Sequence, residues 1–80
     1  MPTVLRHGGF DVMILTNDHT PSHVHVFRAG TEVVIKLGSG TARPYISQVN
    51  GMTKGNAKKA VRLIEENLEA LREAWRRIHG

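Results

Sequence analysis

His23-Val24-His25-Val26-Phe27-Arg28-Ala29-Gly30-Thr31-Glu32-Val33-Val34-Ile35-Lys36-Leu37 is the stretch that decides the fold. Its first six residues alternate: Val24 and Val26 fall on one side of a strand, and His23, His25 and Phe27 on the other. Ala29-Gly30 turns the chain, and Thr31–Leu37 is β-branched and apolar enough to return as a second strand. The same grammar occurs upstream. Thr3–His7 is half apolar, Gly8-Gly9 is a tight-turn pair, and Phe10–Leu15 sets Phe10, Val12 and Ile14 against Asp11, Met13 and Leu15. Two hairpins follow, joined by a polar loop over Thr16–Ser22 that holds Asn17, Asp18 and Pro21.

Downstream, Gly38-Ser39-Gly40 leads into Thr41–Val49, where Tyr45 and Ile46 favour a strand while Pro44 demotes it to an edge or to irregular structure. Asn50-Gly51 signals a turn. From about Asn56 the period changes, with Ala57, Val61, Ile64, Leu68, Leu71, Trp75 and Ile78 recurring at steps of four and three. This predicts one long amphipathic helix, with Glu69–Arg72 and Glu73–Arg77 pairs on its outer side. Ala60 and Leu63 widen the stripe, which favours packing on a sheet over a free coiled coil. Arg76, Arg77 and His79 suit the helix C-terminus, and Thr53 or Asn56 its N-cap. The expected architecture is a single α+β domain over residues 1–80, with about four antiparallel strands under one helix. A single helix covers one sheet face, so the face bearing His23 and His25 is expected to lie open.

Eighty residues bury one thin core and exclude a two-domain enzyme or a self-contained cofactor fold. The absence of cysteine excludes a disulfide framework, a thiolate nucleophile and a cysteine zinc site. Met1-Pro2-Thr3 lacks the basic and apolar regions of a secretory leader, and no apolar run approaches the roughly 20 residues of a membrane span. A cytoplasmic, soluble protein without membrane contact is expected. Four aromatic residues are a poor supply for stacking on several bases. Residues 1–64 carry eight Lys or Arg against three acids, and residues 65–80 carry three against four. That surplus suits a phosphate backbone, an acidic partner or plain solubility, and does not choose among them.

Three of the five histidines fall within Asn17-Asp18-His19-Thr20-Pro21-Ser22-His23-Val24-His25-Val26. His-x-His on a strand sets two imidazoles side by side, a geometry that chelates zinc or a similar divalent ion once Asp18 or His19 folds back as a third ligand. No cofactor is required by this reading, and a divalent metal such as zinc is the one it admits. The same rings can instead serve as a general acid and base, with Lys36 or Arg28 as the cation that a ribonuclease-like phosphorane needs. His19, His23, His25 and Lys36 are the residues for that chemistry. The bland alternative carries comparable weight: Asp18 and Asn17 form a turn, Pro21 stiffens the loop, and the histidines satisfy backbone groups. His7 and His79 stand apart and read as structural.

Lys54, Lys58, Lys59 and Arg62 gather at the helix entrance, where cations oppose the macrodipole. A bound phosphate would relieve that conflict, and a solvated helix face is the simpler account. Trp75 reads as a core anchor.

Asn17–Val26 resembles the N-D-H-x-P-P-H-x-H-V signature of a small bacterial family of unknown function, number four-one-six-zero in the series of such domains. Pro2–Arg6, the glycine pair before Phe10, Lys36, and Glu65-Glu66-Asn67 with Leu71 and Trp75 support the likeness, while Ser22 stands where the family has a second proline. The resemblance implies a small intracellular protein, encoded beside a DNA-binding partner in what look like toxin–antitoxin modules. On that footing the chain is expected to be the toxin component, acting on or binding nucleic acid (RNA being the candidate) through the histidine cluster and held by an antitoxin-like protein. The competing expectation is a non-enzymatic regulatory module that binds a metal through its histidines or pairs as a homodimer through their face.

Overall fold

The computed structural model describes residues 3–79, and its chain runs β1 (Thr3–His7), β2 (Phe10–Met13), β3 (His23–Arg28), β4 (Thr31–Lys36), β5 (Tyr45–Asn50), α1 (Lys54–Glu66) and α2 (Leu68–His79). The strands form one antiparallel meander in the order β1-β2-β3-β4-β5. Both expected hairpins are present, and their turns show why. Gly8 and Gly9 have φ of 59° and 85°, and Ala29 and Gly30 have 48° and 78°. Two successive positive φ values match the right-handed twist of the flanking strands.

Two expectations are corrected. The sheet has five strands rather than four, because Pro44 is buried just ahead of β5 and leaves Tyr45–Asn50 free to pair with β4. A bulge opposite Val34 and Ile35 takes up Ser47, and β5 stays exposed along its length as a sheet edge. The single long helix is two. The chain leaves helical geometry at Asn67 (φ −123°, ψ 21°), whose side-chain amide donates to the Leu63 carbonyl at 2.9 Å and whose backbone N–H donates to the Ile64 carbonyl at 3.1 Å. The Leu71 N–H then returns to the Asn67 carbonyl at 3.0 Å, opening α2. Thr53, one of the two expected caps, accepts the Asn56 N–H at 3.2 Å and starts α1.

The core lies between the helices and the face of the sheet that carries Val12, Val24, Val26 and Ile35, all fully buried. Ala57, Ala60 and Ile64 from α1, and Leu71 and Trp75 from α2, close it, with Val61, Leu68 and Ile78 packed at its rim. At roughly 25 cal/mol per Å², valines and isoleucines buried this completely supply most of the drive to fold a chain this short. No described helix is long and apolar enough to cross a membrane.

Arg72 departs from the expected pattern. It is only 9 % exposed, although its spacing from Glu69 assigned it to the outer surface. Its guanidinium donates to the carbonyls of Leu37, Gly40 and Ala42 at 3.1 Å each, pinning the β4–β5 connection to α2. The bond to Glu69, at 3.2 Å, is present as well. Glu73 pairs with Arg76 at 2.7 Å rather than with Arg77, since i,i+3 reach suffices on this face.

Candidate functional site

Period-two geometry sends Val24 and Val26 into the core and His23 and His25 to the other face, as the sequence requires. That face is not open around the pair. The side chains of His23, His25 and Asp18 are 12 %, 15 % and 10 % exposed. The cover is the Thr16–Ser22 loop, which a reciprocal pair of bonds folds back: the Leu15 N–H donates to Asp18 Oδ2 at 3.0 Å, and the Asp18 N–H to the Leu15 carbonyl at 3.1 Å. The turn of the bland alternative therefore exists, and it is what delivers the Asp18 carboxylate to the histidines. From the helix layer, the Trp75 ring comes within 5.3 Å of the His23 ring, centroid to centroid.

The proton arrangement follows from the partners. His23 Nδ1 lies 2.9 Å from the Pro21 carbonyl oxygen, which only accepts, so Nδ1 carries the proton. A neutral His23 then presents the Nε2 lone pair to Asp18 Oδ1 at 3.4 Å. Lone pair against carboxylate is repulsive, and a proton or a cation between them relieves it. His25 meets a carboxylate at both nitrogens, with Nδ1 2.8 Å from Glu32 Oε2 and Nε2 3.1 Å from both Asp18 oxygens. Glu32 is itself oriented by Asn50, whose Nδ2 donates to Oε1 at 3.1 Å. Burial alone would push the Asp18 carboxyl up. The Leu15 N–H, the bond from His25 and the charges of His25 and His23 outweigh it and hold the group below its ordinary value.

His23, His25 and Asp18 each offer a ligand atom, all within 4.8 Å of one another. Two of these separations, 3.1 and 3.4 Å, bracket the roughly 3.3 Å edge of a tetrahedron with metal–nitrogen bonds of about 2.05 Å. Glu32 and the Pro21 carbonyl would be the outer partners that fix each ring's tautomer.

The other sequence candidates divide. His19 is exposed and falls outside the ligand group. Lys36 pairs in register with His23 and so shares its face. Arg28 is at the far end of β3, with its guanidinium bonded to the Gly8 carbonyl at 2.7 Å and placed over the Phe10 ring. Lys54, Lys58, Lys59 and Arg62 are exposed on α1, with no carboxylate in ion-pair contact among the described residues. Of the isolated histidines, His7 is exposed in β1, and the His79 ring lies tilted against Trp75 with centroids 4.0 Å apart. Glu32 was not among the sequence candidates. The signal for it was the hairpin register: with Phe27 opposite Glu32 and His25 opposite Val34, Glu32 is the diagonal neighbour of His25 on one face.

Residues 9–76 match the family model described as a domain of unknown function, DUF4160. No curated protein matches the chain, and no solved structure does.

Proposed function

The chain belongs to the DUF4160 family, whose function is unknown, and we propose that in this member Asp18, His23 and His25 form a divalent-metal centre of the zinc class. The observation that supports it best is the Pro21 carbonyl on His23 Nδ1, which leaves Nε2 as a lone pair 3.4 Å from Asp18 Oδ1. A cation at the meeting point satisfies His23 Nε2, His25 Nε2 and the carboxylate together, while Glu32 keeps the proton on His25 Nδ1. The charge balance is the same in both forms: two imidazoliums against two ionised carboxylates, or two neutral rings and a divalent ion against them. Three protein ligands leave a position for water or substrate, the arrangement of a catalytic rather than a structural zinc site.

Zinc titration of metal-free protein tests this. One equivalent should bind and raise the Tm by mass action, and the His23→Ala/His25→Ala double variant should lose both effects. Absence of stoichiometric binding with an unchanged Tm overturns the reading.

A second reading rests on the four cations of α1 that have no ion-pair partner among the described residues, next to a helix N-terminus with no acid in its first turn. Here the protein is a toxin-type component that acts on nucleic acid, Lys54, Lys58, Lys59 and Arg62 hold phosphates, and a partner protein neutralises it. Expression with and without the neighbouring gene tests it, and unimpaired growth in both cases counts against a toxin.

A further inference from the structure

We propose that the cleft between α2 and the loops at 20–22 and 38–40 binds the phosphate group of a small phosphate ester, and so supplies the substrate subsite of the adjoining centre. The cleft has a volume of about 490 Å³, within the span of small-molecule sites and well beyond what an inorganic anion fills.

Its lining combines Arg72 and Arg76 with Thr20, Ser22 and Ser39, and includes one acid, Glu69. Among the described residues, the hydroxyls that hydrogen-bond within the protein are those of Thr31 and Thr53, so the hydroxyls of Thr20, Ser22 and Ser39 are not committed to protein partners. Arg72 is nine-tenths buried, and its Nε has no hydrogen-bond partner. Three of its bonds go to carbonyls, which solvate the guanidinium without neutralising it. The one carboxylate on it, Glu69, is 83 % exposed and screened by water. A buried cation so weakly compensated leaves positive potential on the wall, which favours an anion in the cleft. The terminal N–H groups of Arg72 are already taken. The donors are therefore Arg76, whose bond to exposed Glu73 at 2.7 Å a ligand would compete with, and the three hydroxyl residues, with the buried charge of Arg72 behind them. That set suits a tetrahedral oxyanion.

The position gives the cleft its meaning. Ser22 immediately precedes His23, and Trp75 lines the cleft while its ring lies against that of His23. A phosphate held by Arg76 beside the buried charge of Arg72 directs the remainder of the ester along Trp75 toward the histidines. This assignment rests on the metal-centre reading for its role in function, but the anion site stands on its own residues and is measured without metal.

The test is calorimetric titration of the chelator-treated protein with inorganic phosphate and with adenosine 5′-monophosphate. Arg72 also holds a loop in place, so the exposed residues carry the comparison. Arg76→Gln should weaken both probes about tenfold. Glu69→Gln, which removes a competing carboxylate, should tighten both about threefold. The monophosphate should bind at least as well as phosphate. Heat of binding absent for both probes up to about 10 mM, or affinities unmoved by both substitutions, overturns the proposal, and a monophosphate that fails to compete with phosphate overturns the ester assignment. Arg76→Gln should leave zinc affinity unchanged. Phosphate binding by a protein that takes up no zinc supports the cleft while removing the metal centre, so the two failures are separable.

Discussion

Glu32 Oε2 accepts from His25 Nδ1 at 2.8 Å, and this bond orients the ring whose Nε2 meets Asp18. The two residues are seven apart in sequence and lie diagonally across the β3–β4 hairpin. A carboxylate behind a histidine holds one tautomer and raises the basicity of the other nitrogen. Glu32→Gln should therefore weaken zinc binding by about 10- to 100-fold with the fold retained. Competition with a chromophoric chelator gives the affinity, and circular dichroism checks the fold. An unchanged affinity would remove Glu32 from the centre.

Asp18 makes stability depend on pH in a definite direction. Its folded-state pKa is depressed, so its contribution is fully present above the unfolded carboxyl value of about 3.9. It is lost as pH falls through the folded value. In metal-free protein, the stability difference between wild type and Asp18→Asn should shrink as pH falls below about 4. Urea unfolding at stepped pH measures it, and a difference that persists at low pH contradicts the assignment.

Arg72→Met should destabilise the protein by about 3 kcal/mol, because the carbonyls of Leu37, Gly40 and Ala42 lose a charged donor at once. For a domain of this size that is a fall in Tm of more than about 10 °C. Arg76→Met, one turn further along the exposed side, should change Tm little. Equal effects of the two would refute the clamp.

Lys54→Glu separates the two accounts of the α1 cations. Lys54 opens the helix beside the Thr53 cap, where an acid is favoured by the macrodipole. The substitution should stabilise the fold by about 0.3–1 kcal/mol. If the cations hold phosphates, the same change should also weaken binding of a single-stranded oligonucleotide and flatten its salt dependence. Oligonucleotide binding that is unaffected would return these residues to the role of a solvated helix face.

The α+β class, both hairpins and their turns, the inward valines and the outward histidines were all legible in the sequence. Each depends on spacing within a few residues: period two along a strand, positive φ at a glycine pair, a change to steps of three and four in the helical region. The break at Asn67 was hidden because the apolar stripe runs on through Ile64, Leu68 and Leu71, so periodicity is blind to a backbone turn that keeps the same face buried. The fifth strand was half visible, since Pro44 obscured a segment whose pairing partner lies ten residues upstream in Ile35 and Lys36.

Composition and the run from Asn17 to Val26 determined that any metal or acid–base chemistry had to use histidine and carboxylate, and put three of the relevant residues within eight positions. Tertiary structure alone selected among them. It brought Asp18 in and left His19 outside, added Glu32 through strand register, and turned Arg72 from a surface ion pair into a buried clamp. These outcomes depend on where chain segments meet in space: loop closure, cross-strand neighbours and carbonyls some 30 residues distant. Local sequence rules reach one turn of helix or one strand, and the chemistry of this site is set by contacts beyond that range.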